Sequence, residues 1–230
     1  MNHQTQIVST KKLLPNQKQF LLNADLSVIE ADFIKISLNQ VSIPDADYLI
    51  FTSSNAVRSV LQNPELNRIQ KIPCYCVGEK TSKLLIENGF HVEASADYAD
   101  ILVKTLVQKT TAKFAFICGN IRLNTIPDAL TSNSIIFTEI TAYQTKLDPI
   151  AINAEPHGIL FFSPSAVESY LVNNSIGNSV CFCIGTTTAK ALENSCNTIV
   201  IAQKPTIENT IIRAIKYFNE LNQTSHTKLI

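Results

Sequence analysis

The chain has no net charge and no block of charge of one sign. Its 230 residues include 19 lysines and arginines and 19 aspartates and glutamates, spread along the sequence. Proteins that bind nucleic acids or membrane surfaces electrostatically concentrate basic residues in patches. The sequence therefore indicates neither a nucleic acid nor a membrane as partner. By default it favours a small molecule or another protein.

Long apolar runs are also missing. The N-terminal stretch MNHQTQIVSTKK has no continuous apolar segment of the kind found in signal peptides. No later run approaches the ~20 apolar residues that a membrane-spanning helix needs. We therefore expect a soluble, cytoplasmic protein, and nothing in the sequence demands more than a monomer.

Disulfide and metal-site patterns are absent although the chain contains six cysteines. Five of them lie in or beside apolar, strand-like runs, which favours free buried thiols. The spacing of zinc ligands differs from that of the two C-x-C pairs, at residues 74–76 and 181–183. We expect no metal site.

Common catalytic and cofactor motifs are missing as well. The sequence contains no G-x-G-x-x-G after a strand, no G-K-[ST], no G-x-S-x-G and no H-E-x-x-H. Their absence weighs against redox and hydrolytic cofactor chemistry. The missing phosphate-loop glycines also weigh against a nucleotide- or sugar-handling transferase with flavodoxin-like domains.

What the chain does have is an internal repeat. FTSSNAV begins at residue 51 and FFSPSAV at residue 161, an offset of 110. CYCVGEKTSKLL begins at residue 74 and CFCIGTTTAKAL at residue 181, an offset of 107. Because two separate motifs recur at nearly the same offset, we infer two copies of one α/β unit.

Each copy has the pattern of a parallel sheet covered by helices. Short apolar runs are each followed by Ser, Thr, Gly or Asn and then by a helical pattern, so helices begin at the carboxyl ends of strands. The expected strands are residues 48–51, 74–77, 114–118, 158–162 and 180–184. In the first copy Ser53 or Ser54 can cap the helix, and in the second Ser163 can do so.

Two further β-α-β stretches, residues 7–37 and 114–145, complete the pattern and are expected to be counterparts of each other. The connections after them, residues 38–46 and 146–157, contain prolines and have no long amphipathic pattern. They are candidate crossings from one domain to the other, although the pattern alone also allows a simple split near residue 110.

The strand-to-helix turns are the candidate ligand site, because open α/β sheets bind ligands at this edge. Exposed backbone N–H groups and hydroxyls there can hold carboxylates without a full positive charge. The alternative is that the hydroxyls only cap helices. The candidate residues are Thr52, Ser53, Ser54, Asn55, Gly78, Lys80, Thr81, Gly119, Asn120, Ser163, Ser165, Gly185, Thr187 and Thr188.

Three charged side chains and one tyrosine in or near these turns have two interpretations. Lys11, Lys80 and Arg122 could pair with substrate carboxylates or could be solvated surface charges. Tyr143 follows an alternating strand pattern at residues 136–141, where a half-buried phenol seeks a hydrogen-bond partner. The residues alone do not decide between a structural and a functional role for Tyr143.

The motifs together resemble the uroporphyrinogen-III synthase family over nearly the full length. FTSSNAV resembles the family's F-T-S-x-x-A-V, and VGEKTSKLLIENGF its V-G-x-x-T-x-x-x-L-x-x-x-G-F. ICGNIRLNTIPDAL, TAYQT, FFSPSAV and IGTTTAKAL resemble four further family segments in the same order. The order and spacing of the motifs make the match specific.

The resemblance implies two flavodoxin-like α/β domains with parallel sheets, joined by a two-stranded connection, with the active site in the cleft between the domains. It also implies discontinuous domains. We therefore expect one domain from residues 1–38 plus 149–230 and an inserted domain from residues 39–148.

The implied activity is a lyase reaction, the cyclisation of hydroxymethylbilane, a linear tetrapyrrole polycarboxylate. The last pyrrole ring is inverted and water is lost through a spirocyclic intermediate, without metal or organic cofactor. The resemblance gives Tyr143 the role of assisting departure of the hydroxyl, with Ser53, Thr81, Thr187 and Thr188 as the best candidates for substrate contact. A non-enzymatic two-domain protein that binds a small ligand is the alternative.

The sequence departs from the family at two points. The N-terminal strand often ends in Arg in this family, whereas Lys11 and Lys12 stand here. Gly119-Asn120 replaces the usual Gly-Asp or Gly-Glu.

Overall fold

Strands and helices alternate along the chain. The computed structural model describes residues 4–227, and side chains as far as residue 221. The strands are β1 (Gln6–Ser9), β2 (Ser27–Glu30), β3 (Ile34–Leu38), β4 (Tyr48–Phe51), β5 (Cys74–Val77), β6 (Val92–Ala96), β7 (Lys113–Gly119), β8 (Ile136–Leu147), β9 (Gly158–Phe161), β10 (Val180–Cys183) and β11 (Ile199–Ile201). The helices are α1 (Pro15–Leu22), α2 (Ser54–Val60), α3 (Leu66–Ile69), α4 (Glu79–Glu87), α5 (Ala99–Leu106), α6 (Thr125–Ser132), α7 (Pro164–Asn173), α8 (Thr186–Lys190) and α9 (Ile207–Thr227).

The chain divides into two compact units. Unit 1 contains the residues up to Lys35 and those from Lys146 onward, and unit 2 contains Ile36–Thr145. The domain boundaries expected from the sequence lie nearby, after residues 38 and 148. Residues 1–3 and 228–230, which that expectation gave to the first domain, lie outside the described residues.

Unit 1 contains a parallel sheet in the order β2-β1-β9-β10-β11. Apolar residues cover both faces of this sheet. Along β9, Ile159 and Phe161 join one core cluster while Leu160 joins the other. A strand buried on both faces has a continuous apolar sequence rather than an alternating one, which is why these runs could be recognised.

Unit 2 contains a sheet in the order β3-β8-β7-β4-β5-β6, in which β4 to β8 are parallel. Here too the two faces are covered. Ala115 and Ile117 of β7 join one cluster, whereas Phe114, Phe116 and Cys118 join the other. The strand β3 lies beside β8, and the peptide N–H of Asn39 donates to the carbonyl oxygen of Ala142 at 2.9 Å.

The two sheets correspond position by position. The order β8-β7-β4-β5-β6 matches β2-β1-β9-β10-β11, so that the repeated motifs follow corresponding strands, β4 with β9 and β5 with β10. Numbered along the chain within unit 1, the order is 2-1-3-4-5, which is that of flavodoxin-like sheets. The predicted α/β class with parallel sheets is confirmed.

The expected strands and helix starts agree closely with the structure. The expected strands at residues 48–51 and 74–77 have the same bounds as β4 and β5. Ser53 and Ser163 are the N-caps of α2 and α7, with their side chains accepting from Asn55 N–H and Ala166 N–H. One expectation was wrong: Tyr143 does not follow its strand, because β8 continues to Leu147.

All six cysteines are free, and the five in apolar runs are buried, as predicted; Cys196 is half-buried. Among the side chains that the structure describes, residues 4–221, no three histidine, cysteine or acidic groups lie close enough together to hold a metal ion.

None of the helices in the described part of the chain is long and apolar enough to cross a membrane.

Candidate active site

The strand order of unit 2 reverses between β4 and β7. The chain runs from β4 outward through β5 and β6, and then returns to place β7 on the other side of β4. In open α/β sheets, ligands bind outside the carboxyl ends of the strands at such a reversal. The residues that follow these two strand ends are Thr52 and Ser53 after β4 and Asn120 after β7.

Ser53 connects the end of β4 to a tyrosine on the other side of the reversal. Its oxygen accepts the N–H of Asn55 at 3.1 Å, which caps α2. Its hydroxyl also lies near the phenol of Tyr143 and lowers the pKa of that group. Two residues that are 90 positions apart in the sequence, Ser53 and Tyr143, are thereby joined at the carboxyl edge of the sheet.

Tyr143 reaches this edge because β8 contains a bulge. The pairing runs Cys118 with Thr141 and then Gly119 with Tyr143, so that Ala142 has no opposite residue on β7. A bulge changes the face to which the following side chains point. Ala142 and Tyr143 are consecutive residues, yet both belong to the core cluster on the α2 side of the sheet.

Gly119 makes room for the ring of Tyr143. A Cβ atom at Gly119 would lie 2.5 Å from Cζ and 2.8 Å from the hydroxyl oxygen of Tyr143. Both distances are far shorter than a van der Waals contact, so the ring can occupy this position only beside a residue without a side chain. The phenol lies directly against the last residue of β7.

Asn120 fixes the backbone at Tyr143 and two residues beyond it. Its N–H donates to the carbonyl oxygen of Tyr143 at 3.1 Å. Its side-chain amide donates to the carbonyl oxygen of Thr145 at 3.1 Å and accepts the N–H of Thr145 at 2.7 Å. The amide thus pairs with β8 as a further strand residue would.

The environment of Tyr143 keeps its phenol protonated. The residue is 9% exposed. Burial raises the pKa of the Tyr143 hydroxyl above its ordinary value, the hydrogen bond from Ser53 lowers it, and the nearby Cys118 raises it. Burial is the largest of the three effects, so Tyr143 can donate a hydrogen bond at neutral pH but cannot act as a base.

Arg122 already has an anionic partner within the protein. Its guanidinium donates to the two carboxylate oxygens of Glu139 at 2.6 and 2.7 Å, and also to Asn124. Such a two-point pair is among the strong charge-assisted interactions. The positive charge that was a candidate for substrate binding is therefore largely neutralised. By contrast, the lysine candidates Lys11 and Lys80 have exposed side chains, as does the neighbouring Lys12.

The other candidate residues of unit 2 differ in accessibility. Thr52, Ser53, Ser54 and Asn55 are all half-buried, so part of each side chain is open to a ligand. Thr81 is only 4% exposed on the first turn of α4. Gly78 precedes this helix with a φ of 89°, in the region that favours glycine. Because glycine has no side chain, Gly78 can offer only backbone groups to a ligand.

In unit 1 the corresponding reversal lies between β1 and β9, and its hydroxyls are bonded within the unit. Ser9 donates to the carbonyl oxygen of Lys11 at 2.5 Å, and Thr10 to that of Leu160 at 2.8 Å. Ser163 and Ser165 lie 3.1 Å apart, oxygen to oxygen. Beyond β10, Gly185 and Thr188 are buried and Thr187 is half-buried.

Sequence reasoning missed three residues that shape the site. Ala142 and Thr145 have no distinctive chemistry, and their roles depend on pairing with β7. Glu139 could have been found, because it is the one acidic residue in the β8 sequence IFTEITAYQTKL and has the opposite charge to Arg122.

The fold and this edge define a class of protein: a parallel α/β protein with a buried, neutral phenol at the strand reversal, the edge at which open α/β sheets bind ligands. The family model described as Uroporphyrinogen-III synthase HemD matches residues 25–212. The chain therefore belongs to the uroporphyrinogen-III synthase family.

Individual relatives agree with this assignment. The chain is 25% identical over 169 residues to a uroporphyrinogen-III synthase of Chlorobaculum parvum, covering 63% of this chain and 68% of the relative. Its fold is similar to the crystal structure of uroporphyrinogen-III synthetase from Helicobacter pylori, with a TM-score of 0.69, 21% identity and coverage of 93% and 99% of the two chains. A mutant uroporphyrinogen III synthase from Thermus thermophilus has a TM-score of 0.62 at 14% identity, with coverage of 93% and 98%.

Proposed function

We propose that this chain closes hydroxymethylbilane to uroporphyrinogen III, with inversion of the last pyrrole ring and loss of water, a lyase reaction. Family membership makes it an enzyme of tetrapyrrole synthesis. The observation that supports the specific chemistry is the protonated Tyr143 hydroxyl, held beside Ser53 at the strand reversal of unit 2. We assign Tyr143 the catalytic role.

The proposed first step is departure of the substrate's terminal hydroxyl. Its carbon–oxygen bond breaks as electrons from the adjacent pyrrole move towards the carbon, and the oxygen takes a proton and leaves as water. A neutral phenol can supply a hydrogen bond or the proton at this point, which is typically worth ~10²–10⁴ in rate. Because the Ser53 oxygen accepts the N–H of Asn55, the Ser53 hydroxyl proton is available to donate a hydrogen bond to the phenolic oxygen of Tyr143. The proton of Tyr143 then stays free for the leaving group.

The second step is attack of the resulting carbon by the substituted position of the last ring, which forms the spirocyclic intermediate. The bond from this position to its original bridging carbon then breaks, and the free position of the same ring attacks that carbon, which inverts the ring. The proton released from the free position replaces the one that left with the water. The linear substrate also closes unaided, without inversion, so the protein must hold it in the conformation that favours attack by the substituted position. We propose that the strand-to-helix turns bind its carboxylates. In unit 2 the half-buried residues from Thr52 to Asn55 leave part of each side chain open to a ligand, and Lys80 and Asn120 are exposed.

We further propose that the two compact units are the domains expected from the sequence, and that the protein acts in the cytoplasm as a monomer. Six free cysteines support a reducing compartment. Size-exclusion chromatography with light scattering would measure the mass of the particle against the 25.4 kDa of one chain.

Turnover of freshly prepared hydroxymethylbilane tests the proposal. The purified protein should yield mainly the inverted, type III isomer, whereas the heat-denatured protein should leave only unaided closure to the non-inverted isomer. The proposal is wrong if the native protein binds the substrate but changes neither the rate nor the isomer ratio.

A further inference from the structure

The direction of the Tyr143 side chain is determined by residues other than Tyr143 itself. On β7, Ile117 faces the α2 side of the sheet and Cys118 faces the opposite side. Ile140 of β8 pairs with Ile117 and faces the α2 side as well. With regular alternation Ala142 would be opposite Gly119, and Tyr143 would point to the side of Cys118, away from Ser53.

The bulge at Ala142 reverses this outcome. It places Tyr143 opposite Gly119 and on the α2 side, where the hydroxyl reaches Ser53. The bulge is held by Asn120, whose N–H bonds the carbonyl of Tyr143 and whose amide pairs with the backbone of Thr145. Bulges are frequent beside active sites, where they redirect a side chain.

Gly119 is the second requirement for this position. The hypothetical Cβ that would lie 2.5 Å from the ring meets Cζ, Cε2 and the hydroxyl oxygen, all at the far end of the side chain. Gly119 is not in the left-handed region, so alanine would not strain the backbone conformation. The strain of an added methyl group would therefore be relieved mainly by movement of the phenol and its hydroxyl.

We infer that Gly119 is a positioning residue for the proposed reaction, acting through Tyr143: together with the Asn120-held bulge, its missing side chain places the phenol against the end of β7 and its hydroxyl beside Ser53. The inference rests on the proposed function. It gives Gly119 a role other than the backbone contact to substrate that the sequence suggested.

A double-mutant cycle tests the inference. Gly119→Ala should lower kcat for type III formation by at least about ten-fold, since it displaces a group whose contribution is of the general-acid kind. KM should change by less than about three-fold, because this change is not expected to remove a substrate contact. In a Tyr143→Phe background the same substitution should change kcat by less than about two-fold, since there is no hydroxyl left to displace.

A second readout follows the phenol directly. The ultraviolet difference between each protein and its Tyr143→Phe counterpart reports the titration of Tyr143 alone. In Gly119→Ala the Tyr143 hydroxyl should move away from Ser53, so the apparent pKa of Tyr143 should differ from that in the wild type. A merely structural role for Gly119 would lower the melting temperature and leave the titration in place.

The possible outcomes separate the inference from the proposed function. If Tyr143→Phe is as active as wild type, the catalytic role of Tyr143 falls. If Tyr143→Phe lowers kcat but Gly119→Ala does not, positioning by Gly119 is refuted. It is also refuted if the double variant loses kcat by the full product of the two single-variant factors, because the two residues then act independently. Should Gly119→Ala fail to fold, Asn120→Ala takes its place, because loosening the bulge must also lower kcat in wild type and not in Tyr143→Phe.

Discussion

At Tyr143, two opposing effects act on one hydroxyl. Burial raises the pKa of the phenol, and the hydrogen bond from Ser53 lowers it by favouring the ionised form. The net direction is upward, so the proton is retained through neutral pH and is lost only in alkali. A general acid of this kind loses activity as the pH rises through its pKa.

Ser53→Ala should therefore move the alkaline limb of the kcat profile to higher pH, because it removes the effect that lowers the pKa of Tyr143. It should also reduce kcat/KM a few-fold, corresponding to the ~1 kcal/mol of one hydrogen bond. The measurement is the rate of type III formation as a function of pH.

Ser163→Ala is the matched control for this variant. Ser163 caps α7 as Ser53 caps α2, accepting a backbone N–H at 3.1 Å in each case. Both substitutions should reduce stability by about 1 kcal/mol through loss of the cap. Only Ser53→Ala should shift the alkaline limb, and an equal shift in Ser163→Ala would contradict the hydrogen bond to Tyr143 as its cause.

At the scale of elements, the pairing of β8 with β7 depends on one side chain. The amide of Asn120 satisfies both backbone groups of Thr145, a residue that is 8% exposed. Asn120→Ala leaves these groups without that partner and should reduce the free energy of unfolding by about 1 kcal/mol. Denaturant unfolding measures this change.

Asn133→Ala is the comparison, because Asn133 also donates its amide to a backbone carbonyl but does so on the exposed surface of α6. Its cost should be within about 0.5 kcal/mol, as for surface substitutions in general. Equal costs for the two variants would mean that Asn120 contributes nothing special to the β7–β8 pairing.

The strands could be predicted from the sequence where burial on both faces makes their sequence continuously apolar. This is why β4 and β5 were found at their observed bounds. The bulge could not be predicted in this way, because Ala142 becomes an extra residue only relative to its pairing partner on β7. The same limit hid the continuation of β8 and the hydrogen bond between Ser53 and Tyr143.

At the scale of the whole molecule, the repeat predicted two similar units, and residues 7–37 and 114–145 were predicted to be counterparts, as the strand orders confirm. The strands β1 and β2 occupy in unit 1 the positions that β7 and β8 occupy in unit 2, although they come first in the chain rather than last. Sequence offsets near 110 residues connect only the strands that keep the same order in both copies. The repeat does not predict that only one unit carries the proposed catalytic tyrosine. That expectation came from the family resemblance, which identified Tyr143.

Buried thiols should make stability depend on alkaline pH. Burial raises the pKa of Cys74 and of Cys183 to about 12, from an ordinary value of 9.0. The folded chain therefore keeps these protons when the unfolded chain has lost them. Stability is fully present below about pH 9 and falls as the pH rises towards 12.

The melting temperature should accordingly be level up to about pH 9 and decline above it. Cys183→Ala removes one of the titrating thiols, so its melting temperature should decline less steeply, from a lower starting value because of the cavity. Parallel declines for the variant and the wild type would show that this thiol does not titrate on unfolding.

The most direct test of the account is the rate at which the Tyr143→Phe protein converts hydroxymethylbilane to the type III isomer. The change removes the hydroxyl and keeps the ring, which packs in the α2-side core. We predict a melting temperature near that of wild type and a rate lower by at least about ten-fold. Tyr98→Phe, the same change at a tyrosine that is 38% exposed, should leave the rate unaltered. A Tyr143→Phe protein that forms the type III isomer at the wild-type rate would contradict the account.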